Sequence, residues 1–266
     1  MFDSIAGDYD ALNHILSLDV DKLWRKKALK QIVDAPAPVQ VLDLACGTGD
    51  FSIAIAKALS RSHKRVGTPI EAHVKAPAKA PVEAQVTSTG FVTGDSGRSD
   101  LMTKGHVTGV DLSEGMLAVM REKVAKAGLT EMISIEEGDG ENLRFPDNTF
   151  DRVTIAFGIR NFENREKGLR EMLRVLKPGG RLVILELSRP ENKIIRWFYD
   201  LYFLHILPKI GGKVSGDKAA YAYLPASVAA FPGKKEFSAT MRKAGFHTVT
   251  HKAFTLGICR MYTGEK

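Results

Sequence analysis

Short apolar runs rich in β-branched residues recur through the middle of the chain, and stretches of helical period separate them. The runs at 39–44, 106–110, 132–136, 151–157 and 181–187 read as strands, and those at 51–59, 114–127 and 165–176 read as helices. Strands that alternate with helices form a parallel sheet with right-handed crossovers, so the predicted class is α/β. Ahead of this block, Leu12, Ile15, Leu16, Leu23, Trp24, Leu29 and Ile32 give residues 1–35 an apolar spacing that is roughly helical. Behind it come an aromatic-rich helical stretch at 192–208, a helical stretch before Phe231, and β-rich runs at 248–254 and 256–262. No internal repeat is visible, and 266 residues suit a single domain.

Segment 60–105 departs from the pattern. It is built of Ala, Pro, Thr, Ser and Gly with few large apolar residues, and it contains the biased run Lys75-Ala-Pro-Ala-Lys-Ala-Pro81. Such a composition buries too little apolar surface to offset its ordering entropy, so the expectation is a flexible insertion.

Composition narrows the function classes. Apolar residues make up 44% and charged residues 26%, as in soluble globular proteins. No run approaches the roughly 20 apolar residues of a membrane-spanning helix. The acidic start of the chain lacks a basic, apolar signal sequence, which makes the cytoplasm the expected compartment. Cys46 and Cys259 have no metal-ligand spacing, so buried free thiols are expected and no metal site is. The net charge of +7 would suit nucleic acid, but its basic stretches are not interleaved with aromatics, and no nucleic-acid partner is expected. An acidic substrate, an anionic membrane surface or plain solubility would each use that charge.

The chemistry concentrates at three strand ends. Val41-Leu-Asp-Leu-Ala-Cys-Gly-Thr-Gly-Asp50 runs from a strand through a turn containing Gly47, Thr48 and Gly49 into a helix, where backbone can approach a ligand closely. A dinucleotide fingerprint would continue to a third glycine, and Ser52 stands there instead. Asp43, four positions before the first glycine, can meet the cationic amino group of an amino-acid-like ligand. Asp111 ends the second strand, where a carboxylate accepts from both ribose hydroxyls or, more simply, caps the helix opening at Ser113. Asp139, after the third strand, can accept from an exocyclic adenine amine, with Gly140 letting backbone lie near the ring. Alone, each is a turn or a cap; three acids after three successive strands form a more specific constellation.

Together these residues resemble the class I S-adenosylmethionine-dependent methyltransferases. That likeness implies a Rossmann-like, mostly parallel seven-stranded sheet with helices on both faces and S-adenosyl-L-methionine as cofactor. Further strings resemble the ubiquinone/menaquinone-biosynthesis C-methyltransferase family. They are Tyr9-Asp-x-Leu-Asn13 with Ser17 and Trp24, Phe157-Gly-Ile-Arg-Asn161, Arg174-Val-Leu-Lys-Pro-Gly-Gly-Arg181 through Ser188, Tyr221-x-Tyr-Leu-Pro-x-Ser227, and the turn at Gly245. The chain departs from the family pattern with Asp21 for histidine, Leu12 for methionine, Ala156 for serine, and the 60–105 insertion.

The family likeness implies methyl transfer to a ring carbon of a polyprenylated quinol. Demethylmenaquinol is the favoured acceptor, because the chain opens at its first signature without a transit peptide; a benzoquinol, another acceptor such as RNA, and a non-catalytic adenosine-binding role are the alternatives. A quinol carbon becomes nucleophilic when its hydroxyl is deprotonated or polarised, and the ring proton must then leave. Arg160 is expected to reach over the cofactor and stabilise a developing phenolate, or else to form a surface ion pair with Glu163 or a nearby acid. Tyr9, Asn161 and His205 are further polar candidates, with His205 as the candidate base. The stretch 194–207, apolar on nearly every side, suits a buried helix, a homodimer interface, a groove for the prenyl tail, or peripheral contact with the inner face of the membrane.

Overall fold

The computed structural model describes residues 19–34, 39–66, 105–202 and 218–266. Helix α1 (Val20–Ile32) precedes β1 (Gln40–Leu44), α2 (Asp50–Val66), β2 (His106–Asp111), α3 (Glu114–Lys126), β3 (Ile133–Glu137) and β4 (Phe150–Ala156). A 3₁₀ turn (Ile159–Asn161) then leads to α4 (Arg165–Val175), β5 (Leu176–Leu187), α5 (Lys193–Leu201) and α6 (Lys218–Ala230). The fold closes with α7 (Lys234–Ala244), β6 (His247–Phe254), a second 3₁₀ turn (Thr255–Gly257) and β7 (Cys259–Glu265).

The strands form one seven-stranded sheet in the order β3-β2-β1-β4-β5-β7-β6. β1 to β5 pair in parallel, while β7 runs antiparallel between β5 and β6. Side-chain alternation sorts each central strand between two cores. Val41, Val183 and Leu185 pack with Trp24, Ile55 and Leu117 from α1, α2 and α3. Leu42, Leu44, Leu182 and Ile184 pack on the other face with Leu169, Met172, Phe237 and Met241 from α4 and α7. The sheet is thus covered on both faces, as parallel sheets require.

Within the described residues the expected elements form with three changes to their bounds, and helix α7 adds one that was not expected. Positions 1–18 and 35 of the N-terminal helical expectation and 203–208 of the aromatic stretch lie outside the described residues. α2 continues to Val66, so the first residues of the expected insertion are helical; 67–104 lie outside the described residues. β5 starts at Leu176, because Leu176 pairs with Phe150 before a bulge at the Pro-Gly-Gly step re-enters register at Arg181. The last strand starts at Cys259, since Leu256 has φ 57° inside a 3₁₀ turn and stands 71% exposed.

The chain reverses its order of winding between β1 and β4, whose neighbours lie on opposite sides. In open α/β sheets ligands bind at the carboxyl ends of the strands at such a switch point. Two non-glycine residues with positive φ mark the spot: Ala45 (48°) just after β1 and Phe157 (64°) just after β4. Strain of this kind persists where surrounding structure fixes it, and it concentrates at functional sites.

Candidate active site

At the end of β1, Asp43 is buried at 1% exposure and accepts from Ser52 Oγ at 2.5 Å. Ser52 occupies the place of the missing third glycine, so the residue that breaks the dinucleotide pattern is the one that holds Asp43. Burial pushes the Asp43 carboxyl up to about 7; the Ser52 bond and the Arg25 charge pull it back, and the Asp111 charge adds to the rise. Gly47 donates its N–H to Asp111 Oδ2 at 2.8 Å, and Ser113 donates to Oδ1 at 2.9 Å. Asp111 therefore pins the glycine turn. The helix cap is Ser113 itself, which accepts from Met116 N at 3.2 Å. Gly49 has φ +83°, and a Cβ there would fall 2.4 Å from Met120 Cγ, so both backbone shape and the packing of α3 demand glycine. Thr48 is buried, with its hydroxyl accepting from Lys123 Nζ at 3.2 Å.

These groups border two cavities that share Ala45, Gly47, Ala156 and Phe157. The larger, of about 340 Å³, has Asp111, Asp139, Gly140 and Glu141 along one side and Asn161 and Phe162 along the other. That volume lies within the range of small-ligand sites. Leu112 and Met116 add an apolar surface. Asp139 Oδ1 accepts from Glu141 N at 2.8 Å, which fixes the turn. A Cβ on Gly140 would sit 2.6 Å from Phe162 Cζ, so this glycine lets the aromatic wall close over the turn. The smaller cavity, of about 40 Å³, lies behind the glycine turn and is lined by Asp43, Cys46, Thr48, Asp50 and Arg25.

The β4 side is built differently. Arg160 lines neither cavity. It is buried, with Nη1 2.9 Å from Glu186 Oε1, its own N–H on Glu186 Oε2 at 3.1 Å, Nε on Ser227 Oγ at 3.3 Å, and a further bond to the Phe157 carbonyl. The ion pair is with Glu186 in the interior, rather than with Glu163 on the surface, and the guanidinium is committed there instead of reaching over the cleft. Asn161 does line the cleft, and Tyr223 of α6 donates its hydroxyl to Asn161 Oδ1 at 2.9 Å. Ala156, where the family pattern has serine, borders both cavities without a polar group. Tyr9 and His205 lie outside the described residues.

The family model described as "ubiE/COQ5 methyltransferase family" matches residues 1–266. The chain belongs to the ubiE/COQ5 methyltransferase family. It is 43% identical over its whole length to a ubiquinone/menaquinone biosynthesis C-methyltransferase of Geobacter sulfurreducens, covering 87% of that protein. It is 39% identical, again over its whole length, to a demethylmenaquinone methyltransferase of Bacteroides fragilis, covering 91% of it. A S-adenosylmethionine-dependent methyltransferase structure from Aquifex aeolicus superposes with a TM-score of 0.53 at 19% identity, over 90% of this chain and 88% of that one. At that identity the likeness speaks for the fold alone.

As a member of this family the chain is an S-adenosylmethionine-dependent C-methyltransferase, and its residues fit that cofactor. The larger cleft offers acidic acceptors beside an apolar wall, and the smaller is lined by Asp43 and by Arg25, whose buried Nε has no hydrogen-bond partner among the described residues. Among the described residues no cluster of three His, Cys, Asp or Glu could hold a metal ion. Sequence spacing missed Ser52, Arg25, Tyr223 and Glu186, each of which acts through a partner on a different element.

Proposed function

We propose that this enzyme methylates a ring carbon of a polyprenylated quinol, with demethylmenaquinol as the acceptor. The observation that carries this reading is the position of the Phe157-Gly-Ile-Arg-Asn161 motif. It forms the wall of the cleft opposite the acidic turns, so an acceptor against Asn161 faces a ligand held by Asp111 and Asp139. The naphthoquinol is favoured by the name of the Bacteroides fragilis relative, which covers nearly the same length.

When bound, S-adenosylmethionine supplies an electrophilic methyl group on sulfur. In this reading Asp111 receives the ribose hydroxyls, Asp139 and the backbone at Gly140 receive the adenine, and Gly47, Thr48 and Gly49 lie along the chain of the ligand. Asp43 meets its ammonium group. Because Tyr223 occupies the Asn161 carbonyl oxygen, the amide N–H₂ is left as a donor that polarises the quinol oxygen as negative charge develops there. Arg160 is a positioning residue. Through Glu186 and Ser227 it ties the motif after β4 to β5 and α6, so Asn161 is held from behind.

The acceptor's lipid tail gives α5 a role. Ile194, Trp197 and Phe198 are 70%, 60% and 61% exposed and share one face with Leu201, while Tyr199 on the other face is buried against Val228. Lys193 and Arg196 stand beside that ridge. An exposed aromatic ridge flanked by basic residues suits an anionic bilayer surface, where such a quinol dissolves. No helix of the described residues is long and apolar enough to cross the membrane.

One experiment tests both parts. Labelled methyl transfer is measured side by side with the demethylated naphthoquinol and benzoquinol, each long-tailed in anionic vesicles and short-tailed in solution, for the natural chain and for Trp197→Ala/Phe198→Ala. Incorporation into the naphthoquinol is expected, with the double variant impaired only on vesicles. Label in neither quinol overturns the acceptor, and equal vesicle activity of the double variant overturns the membrane contact.

A further inference from the structure

We infer that Arg25, on the N-terminal helix, receives the carboxylate of the cofactor's amino-acid moiety, which makes α1 a wall of the cofactor site. The inference rests on the larger cleft holding the adenosine part, since the two cavities meet at Ala45, Gly47 and Phe157. A ligand that fills the larger one through the glycine turn presents its other end to the smaller. For S-adenosylmethionine that end is a zwitterion, an ammonium beside a carboxylate, and it needs an anion and a cation as neighbours.

The small cavity has acids in excess: Asp43 and Asp50 line it, and Asp21 lies behind. Arg25 is the cation among its lining residues. The guanidinium is only partly matched by its own protein. Nη1 is 3.2 Å from Asp50 Oδ2 and Nη2 is 3.3 Å from Asp21 Oδ2, both longer than the roughly 2.7–2.9 Å of a close charge-assisted bond. Asp50 is in turn shared with Lys123. Nε, buried, has no hydrogen-bond partner among the described residues. A buried guanidinium N–H without an acceptor is unfavourable until one arrives, and a carboxylate is the acceptor whose two oxygens match the Nε–Nη edge.

The side chain is also held in place for the task. Its side chain is 16% exposed, and the guanidinium carbon lies 5.7 Å from the centre of the Phe157 ring. Phe157 is the strained residue after β4 and borders both cavities. Trp24, the preceding residue of α1, anchors the helix by donating its Nε1–H to Thr255 Oγ1 at 2.9 Å and packs 6.1 Å from the same Phe157 ring. Asp21, where the family pattern has histidine, is buried and braces Arg25 from one turn away. The departure from the pattern therefore sits behind the carboxylate subsite.

Calorimetry with three probes separates recognition of the carboxylate from a merely structural bracket between α1 and α2. S-adenosylhomocysteine carries the full head group, decarboxylated S-adenosylmethionine keeps only the ammonium, and 5′-methylthioadenosine has neither. Arg25→Ala is expected to weaken S-adenosylhomocysteine by roughly 10- to 100-fold and to leave the other two within about twofold of the natural chain. Arg25→Lys should recover part of the loss, as a point charge without the fork. An equal loss for all three probes, or no loss for S-adenosylhomocysteine, overturns the inference. Failure of the natural chain to bind any of them would instead sink the adenosine site on which it rests. Should Arg25→Ala not fold, Arg25→Lys and Arg25→Met with the same probes decide the question.

Discussion

The two sides of the switch point solve the same problem of polar burial in different ways. On the β1–β2–β3 side, short side chains and glycines are satisfied by neighbouring backbone: Asp111 takes the N–H groups of Gly47 and Ser113, and Asp139 takes that of Glu141. These acids are fixed and border the larger cleft, and a carboxylate can accept several bonds. On the β4–β5 side, long charged groups are matched to each other inside the protein, with Arg160 and Glu186 lining neither cavity. One half has its acids bordering the cleft, while the other uses its charged groups to hold the walls still.

That contrast breaks most visibly at Glu186. It is fully buried, and its two oxygens serve Arg160 Nη1, Arg160 N and Leu187 N. Glu186→Ala leaves the Arg160 charge buried without compensation, a loss of about 3–5 kcal/mol and on the order of 10 °C in melting temperature. Affinity for S-adenosylhomocysteine in the folded fraction should stay within about twofold, since no cofactor-side group is touched. A thermal melt paired with calorimetry checks both; a large affinity loss with an unchanged melt would reverse the division of labour.

Asp111→Ala is the mirror experiment. It removes an acceptor facing the cleft and unpins the Gly47 N–H, so cofactor affinity should drop by about 100-fold or more, while stability changes by only about 1 kcal/mol. Wild-type affinity in calorimetry would refute the ribose role.

The same contrast explains what could be read from the sequence. The inner parallel strands are buried along most of their length and show as short, mostly apolar β-rich runs such as 41–44 and 152–156, and the edge strand β3 shows through Ile133 and Ile135, so β1 to β4 were legible to within a residue or two. The turns that border the larger cleft were legible as well, because each follows a strand directly and Asp111 and Asp139 each accept from a backbone N–H two residues on. Helix α7 was not assigned. Its polar composition masks the buried set Phe237, Ser238, Met241 and Ala244, and its clearest signal is the left-handed Gly245 that ends it. Nor did spacing give the orientation of Arg160, whose partners stand 26 and 67 residues away. Long-range charge pairing leaves no local pattern.

The smallest effect concerns pH, and it probes whether Asp43 belongs with the ligand-facing acids or with the buried, self-satisfied ones. Burial raises its carboxyl to about 7, so the ligand-free fold prefers it protonated. The stability this contributes is complete below the ordinary value of 3.8 and is lost as the pH rises through about 7. An ammonium group beside Asp43 reverses the preference, because it favours the carboxylate. Cofactor binding then releases a proton, and affinity should climb by up to roughly tenfold between about pH 5 and pH 7. Neighbouring Cys46 does not contribute, since burial pushes its thiol well above its ordinary range. Arg25 and Asp50 line the same cavity, Asp111 lines the adjoining one and Asp21 stands behind Arg25, and Asp43→Asn separates their contribution from that of Asp43. That variant keeps the bond to Ser52 within reach and should flatten the profile at the low-affinity level. If S-adenosylhomocysteine binds the natural chain equally well across this range, or if Asp43→Asn retains the slope, Asp43 is a structural acid matched to Ser52, and recognition of the ammonium lies with another group of the small cavity.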